Sequence, residues 1–163
     1  MMSKLALPFV AALLAAAALT PALAQAQILT ITGPDGHTAT VTDAQLRDLH
    51  RLTLTAGWGD HHTYAGAPVS DLLALVGGPS DVKLHGPALD QIVVVTGSDG
   101  FIGVMSIAET ARSFREAPVI IADEVDGKPL DAKEGPYRLI IGGELKPARS
   151  VRMVTTIELR PVK

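Results

Sequence analysis

The chain has 163 residues, with 14 Lys and Arg against 17 Asp and Glu, and it contains no cysteine. That balance lacks the clustered basic excess of a nucleic-acid-binding surface. The missing cysteine excludes disulfides, thiolate metal sites and Cys nucleophiles, so burial alone must hold the fold together.

Residues 1–24 predict an export signal. Lys4 gives a short basic start, residues 5–19 form an apolar run, and Thr20-Pro21 break it. Ala22-Leu23-Ala24 is then a small-x-small cleavage site, with Ala24-Gln25-Ala26 as a second one. The run is shorter than the ~20 apolar residues a spanning helix needs, so no membrane span is expected after cleavage. The segment has no arginine pair, which points to the general secretory route rather than the twin-arginine route. A chain exported that way crosses the membrane unfolded and cannot carry a cofactor inserted beforehand. The expectation is a periplasmic protein of residues 25–163, one domain in size, with 13 basic and 17 acidic residues once Lys4 is removed.

The first mature residues predict a hairpin. Ile28-Leu29-Thr30-Ile31-Thr32 alternates, Gly33-Pro34-Asp35-Gly36 turns, and Thr38-Ala39-Thr40-Val41 returns. Thr42-Asp43-Ala44-Gln45 reads as a capping box that opens a short helix. Residues 51–55 read as a strand with Leu52 and Leu54 on one face, and residues 57–62 as a loop around Trp58. Trp58, the only Trp, suits a core cap or a stacking platform. Residues 69–76 predict a helix stopped by Gly77-Gly78-Pro79. Ile92-Val93-Val94-Val95 reads as a strand buried on both faces. Gly97-Ser98-Asp99-Gly100 turns the chain into residues 101–105, and Ser106-Ile107-Ala108-Glu109 is a second capping box. Strands are expected at 118–122, 137–141 and 150–159, the last with Val151, Met153, Thr155 and Ile157 on one face. The pattern is α+β: a mixed sheet or barrel-like core of seven or eight strands with three short helices.

From about Tyr64 to Leu159 the chain resembles the oxidoreductase molybdopterin-binding domain of the sulfite oxidase family. Tyr64-Ala65-Gly66-Ala67-Pro68-Val69-Ser70-Asp71-Leu72-Leu73 is similar to that family's aromatic-x-Gly-Val-Pro-Leu-x-x-Leu-Leu entry to a helix. Gly97-Ser98-Asp99-Gly100-Phe101 resembles its Asp-Gly-Tyr hairpin. Ile120-Ile121-Ala122, Asp126-Gly127-Lys128-Pro129-Leu130 and Gly135-Pro136-Tyr137-Arg138-Leu139-Ile140 follow in the family's order. The resemblance implies that fold. It also implies a molybdenum-binding cysteine on the strand before Gly57-Trp58, and counting back from Gly66 places that position at Leu54.

The chemistry-bearing residues are few. By resemblance, His62 borders the pterin pocket, and basic residues near the last strand grip the pterin phosphate: Arg138, Lys146, Arg149 and Arg152, with the Ser150 hydroxyl. Glu134 and Glu144 lie close enough in sequence to neutralise such arginines. The adjacent pair His61-His62 has no third ligand at metal-site spacing, with His37 and His85 far along the chain, so no metal site is expected. Asp99, Asp123, Glu124, Asp126, Asp131 and Glu134 fall mostly in predicted turns, where Asp serves local hydrogen bonds, and no catalytic residue is expected.

These features predict a non-redox ligand-binding or accessory module, with no cofactor bound and a small anionic or planar ligand as its partner. Two alternatives stand beside it. One is a molybdopterin-dependent oxidoreductase whose metal is held through the pterin alone. The other is a subunit that binds a protein partner in a periplasmic redox or receptor assembly.

Overall fold

The computed structural model describes residues 27–57 and 59–162. The predicted signal segment and the expected roles of Trp58 lie outside the described residues.

Ten strands form two five-stranded sheets. In the first, β1 (Ile28–Thr32) and β2 (Thr38–Thr42) make the predicted antiparallel hairpin. The strand order continues through β10 (Val154–Pro161) and β5 (Gln91–Gly97) to β6 (Ile102–Ser106). The β1–β10 pairing is parallel; all the others are antiparallel. In the second sheet, β3 (Leu52–Ala56) pairs with β4 (His62–Pro68), and β4 with β7 (Val119–Val125). The far side of β7 carries β8 (Lys128–Pro129) and β9 (Arg138–Ile141) in succession.

The main core lies between the sheets. Leu29, Ile31, Val93, Val95, Ile157 and Leu159 from the first meet Ala67, Val119, Ile121, Leu139 and Ile141 from the second. Val93 and Val95 are fully buried there. Val94 is only 7% exposed although it points the other way, so the strand is buried on both faces as its sequence predicts. A smaller apolar cluster, Tyr64, Ile120, Ala122 and Ile140, covers the other face of the second sheet, with Leu52 and Leu54 packed on it.

Helix α1 (Asp43–Asp48) opens on the predicted capping box, and α2 (Val69–Ala74) follows β4 directly. The Ser106–Glu109 capping box also forms, but it opens a single 3-10 turn, Ile107–Thr110, rather than an α-helix. Residues 64–68, whose motif leads into α2, are themselves strand.

The last strand departs from its predicted face. Met153 has a φ of 49° and the β10–β5 register shifts between Val154 and Thr156. An extra residue at such a bulge reverses the alternation. Val151, Val154, Ile157 and Leu159 are therefore the buried positions, while Met153 and Thr155 are half-exposed.

Candidate functional site

Arg138 is the first residue of β9, and its side chain is only 8% exposed. Burying a guanidinium this deeply requires partners for its donors. Nε donates to Ser150 Oγ at 3.0 Å, and Nη1 donates to Glu134 Oε1 at 2.5 Å and to Tyr64 Oη at 3.2 Å. The guanidinium carbon lies 5.5 Å from the centroid of the Tyr64 ring, within cation–π range. Ser150 passes the chain of hydrogen bonds on, donating to the Leu139 carbonyl at 2.8 Å. Burial pushes the Tyr64 phenol above its ordinary value, and Arg138 partly offsets this.

Arg149 ends the short 3-10 turn Pro147–Arg149. Its Nε donates to Glu144 Oε1 at 2.9 Å, and Nη2 also bonds that oxygen. Nη2 donates as well to Glu109 Oε1 at 3.0 Å, and Nη1 to the Val104 carbonyl of β6 at 3.2 Å. Burial works against charge on Glu109. The Arg149 guanidinium and the Ser106 N–H outweigh it and hold this carboxyl below the usual range.

Arg138 opens onto a cavity of about 420 Å³, lined by Asp99, Phe101, Arg138, Pro147, Ala148, Ser150 and Arg152. The structure thus brings together Arg138, Ser150 and Arg152 of the residues singled out in the sequence. Arg149 stands beside the cavity on the same turn, turned into its own ion pairs. Lys146 is exposed just before that turn and does not line the cavity. His62 does not line it either. It sits at the start of β4, where its Nδ1 is 2.7 Å from Asp126 Oδ2 and its ring meets Tyr64 edge-on at 6.5 Å. Tyr64 therefore separates His62 from Arg138.

Leu54 lies directly opposite Tyr64 in the β3–β4 register and packs on the smaller apolar cluster. It is half-buried, and its neighbours Thr53 and Thr55 point to solvent.

A second polar centre was hidden in the sequence. Asp123 and Glu124 lie in β7, not in a turn. Asp123 is 6% exposed and accepts from Arg47 Nε at 3.2 Å and Arg51 Nη2 at 2.8 Å, while Arg51 also reaches Glu124 at 2.9 Å. Beside it the Tyr137 hydroxyl donates to Asp43, and burial together with that carboxylate raises the Tyr137 phenol far above its ordinary value. Among the described residues, no three His, Asp or Glu side chains are gathered as a metal site would need. No helix among them is long and apolar enough to cross a membrane.

The sequence also left out Glu109 and Tyr64 as members of the site. Glu109 was legible only as a helix cap. Its second oxygen reaches an arginine 40 residues away, which no local pattern encodes.

A family model of the oxidoreductase molybdopterin-binding domain matches residues 37–163. No curated protein matches the chain. Among solved structures, the chain is similar to the sulfane dehydrogenase SoxCD from Paracoccus pantotrophus, with a TM-score of 0.65 and 19% identity. That likeness covers 84% of this chain and 38% of the other, so the chain spans well under half the length of the protein it matches. At that identity it shows the fold. With residues 37–163 matched by the family model, the chain belongs to the oxidoreductase molybdopterin-binding domain family, as a member without cysteine.

Proposed function

We propose that this chain is an exported, non-redox binding or accessory module built on the molybdopterin-binding scaffold. The observation that carries the reading is Leu54. It stands at the position where the resemblance places a thiolate, with the Tyr64 ring opposite in the register and the apolar Ile120, Ala122 and Ile140 in the cluster it packs on. Soft thiolate sulfur is a donor a protein offers to such a metal, whereas a leucine has no lone pair. No other residue of the chain supplies a thiol. The residues present do not fit a thiolate-held molybdenum.

The 420 Å³ cavity is the proposed recognition surface. Phe101 is 46% exposed and offers a ring face. Arg152 is exposed and lines the cavity, while Arg138 is already held by Glu134. That combination suits a small planar ligand carrying one anionic group. Export, and with it a periplasmic location, rests on the sequence pattern of residues 1–24.

The test is the metal and pterin content of protein purified from its own export compartment. The expected result is neither molybdenum nor the fluorescence of an oxidised pterin. Stoichiometric molybdenum with an intact pterin would overturn the reading in favour of an oxidoreductase whose metal is held through the pterin alone.

One observation favours a second reading, a subunit that binds a protein partner. Phe101, Ile102, Val104 and Leu145 are exposed large apolar residues on β6 and on the loop beside the same cavity. Exposed apolar patches of this kind mark interaction surfaces. A native-source protein that runs as a free monomer with no partner would count against it.

A further inference from the structure

Arg149 is held by two acids at once. One guanidinium, 36% exposed, faces two carboxylates, Glu109 and Glu144. The two acids arrive from different elements, one from the 3-10 turn after β6 and the other from the loop after β9. A backbone carbonyl from β6 takes Nη1, so acceptors from three parts of the chain surround one planar fork. An arginine fork of this kind is suited to bidentate binding of a phosphate or carboxylate. Here each nitrogen of the fork already donates to an acceptor of the chain itself. An anion approaching Arg149 must displace these two carboxylates, and Arg115 lies within electrostatic reach of Glu109 as well.

The neighbouring cavity also sets acids beside its cations. Arg138 is matched by Glu134, and Arg152 shares the lining with Asp99.

We propose that Glu144 and Glu109 occupy the Arg149 guanidinium in place of an external oxyanion, so that this is an anion site closed by the chain's own acids. The closure is electrostatic and local. It predicts that the protein rejects phosphate at Arg149 as it stands and accepts it once the two acids lose their charge. The inference does not depend on which ligand the cavity takes. The metal and pterin measurement fails separately from it.

The experiment titrates the full-length mature protein with inorganic phosphate and with pyrophosphate. Affinity is read by calorimetry and by the shift in thermal midpoint, against chloride at equal ionic strength. Wild type and Arg149→Gln should bind each alike, any affinity coming from the Arg152 side of the cavity rather than from Arg149. Glu109→Gln/Glu144→Gln should bind pyrophosphate about tenfold or more tighter than wild type. Adding Arg149→Gln to that pair should abolish the gain. Glu109 also caps the turn after β6 through Ser106, so Glu144→Gln alone serves as the second variant, with the cap intact and a smaller gain in the same direction. Three results would overturn the proposal: wild type binding as tightly as the double variant, a folded double or single variant with no gain, or a gain that survives loss of Arg149.

Discussion

Asp126 carries two structural tasks on one side chain. Its backbone sits at a φ of 50°, followed by Gly127 at 73°, the pair of left-handed residues a tight hairpin between β7 and β8 requires. Its carboxylate accepts from the Thr63 N–H at 2.9 Å and faces His62 Nδ1 at 2.7 Å, tying that hairpin to β4. The Thr63 N–H first, and His62 second, hold this carboxyl below the usual carboxylate range. A carboxyl depressed in the folded state stabilises it above the unfolded value, and that contribution is lost as pH falls through the folded value. Asn tolerates the left-handed backbone, so Asp126→Asn removes the titration without straining the turn. The variant should lose less stability than wild type between neutral pH and pH ~3, measured as urea midpoints. Parallel profiles would mean the pairing contributes nothing. At this scale the sequence was informative about composition and poor about partners. Glu134 and Glu144 were legible as neutralising acids because they lie within a few residues of Arg138 and Arg149. The Arg51–Asp123 and Arg149–Glu109 pairs join residues 72 and 40 positions apart, and only the folded sheets bring them together.

Among the elements, the β4–β7 pair shows how little room the scaffold leaves. The register shifts between Ala65 and Gly66, and a Cβ at Gly66 would collide with the Ile121 carbonyl. Neighbouring backbone cannot yield as a flexible side chain can, so Gly66→Ala should destabilise the protein by about 3 kcal/mol or more in chemical denaturation. A change below ~1 kcal/mol would show that the bulge relaxes freely. Local signals predicted the elements well where the physics is local. Both capping boxes, the β1–β2 hairpin and the doubly buried β5 follow from residues within a few positions of one another. They failed at the last strand, because simple alternation cannot anticipate a residue in left-handed conformation. Met153 takes that conformation with its N–H bonded to Glu134 and its carbonyl to Ser98, both set by distant segments.

For the molecule as a whole, the pairing of β1 with β10 joins the first described strand to the last. The family match begins at residue 37, yet β1 lies before it, in the interior of the first sheet between β2 and β10. Leu29 and Ile31 of this strand are fully buried. Losing two such side chains costs roughly 2–5 kcal/mol each, against a total stability of about 5–15 kcal/mol for an ordinary domain. A chain starting at residue 37 should therefore lack the cooperative unfolding transition of the full mature chain, as read by denaturant titration. A sharp transition at an unchanged midpoint would place the folding unit where the family match places it. The general architecture was legible because alternation and turn chemistry mark strands one at a time. The division into two sheets was not, since nothing local tells β1 that its second neighbour is the last strand.

That arrangement also sets an order of events. β10 is the partner of both β1 and β5, so the hairpin at the start of the chain and the β5–β6 hairpin have no strand between them until β10 arrives. A chain cut short before residue 154 is not a slightly trimmed domain; its first sheet is left in two unconnected halves. Whatever compartment it folds in, the polypeptide stays open along that seam while it is being made or moved, and shuts only when its last strand comes through.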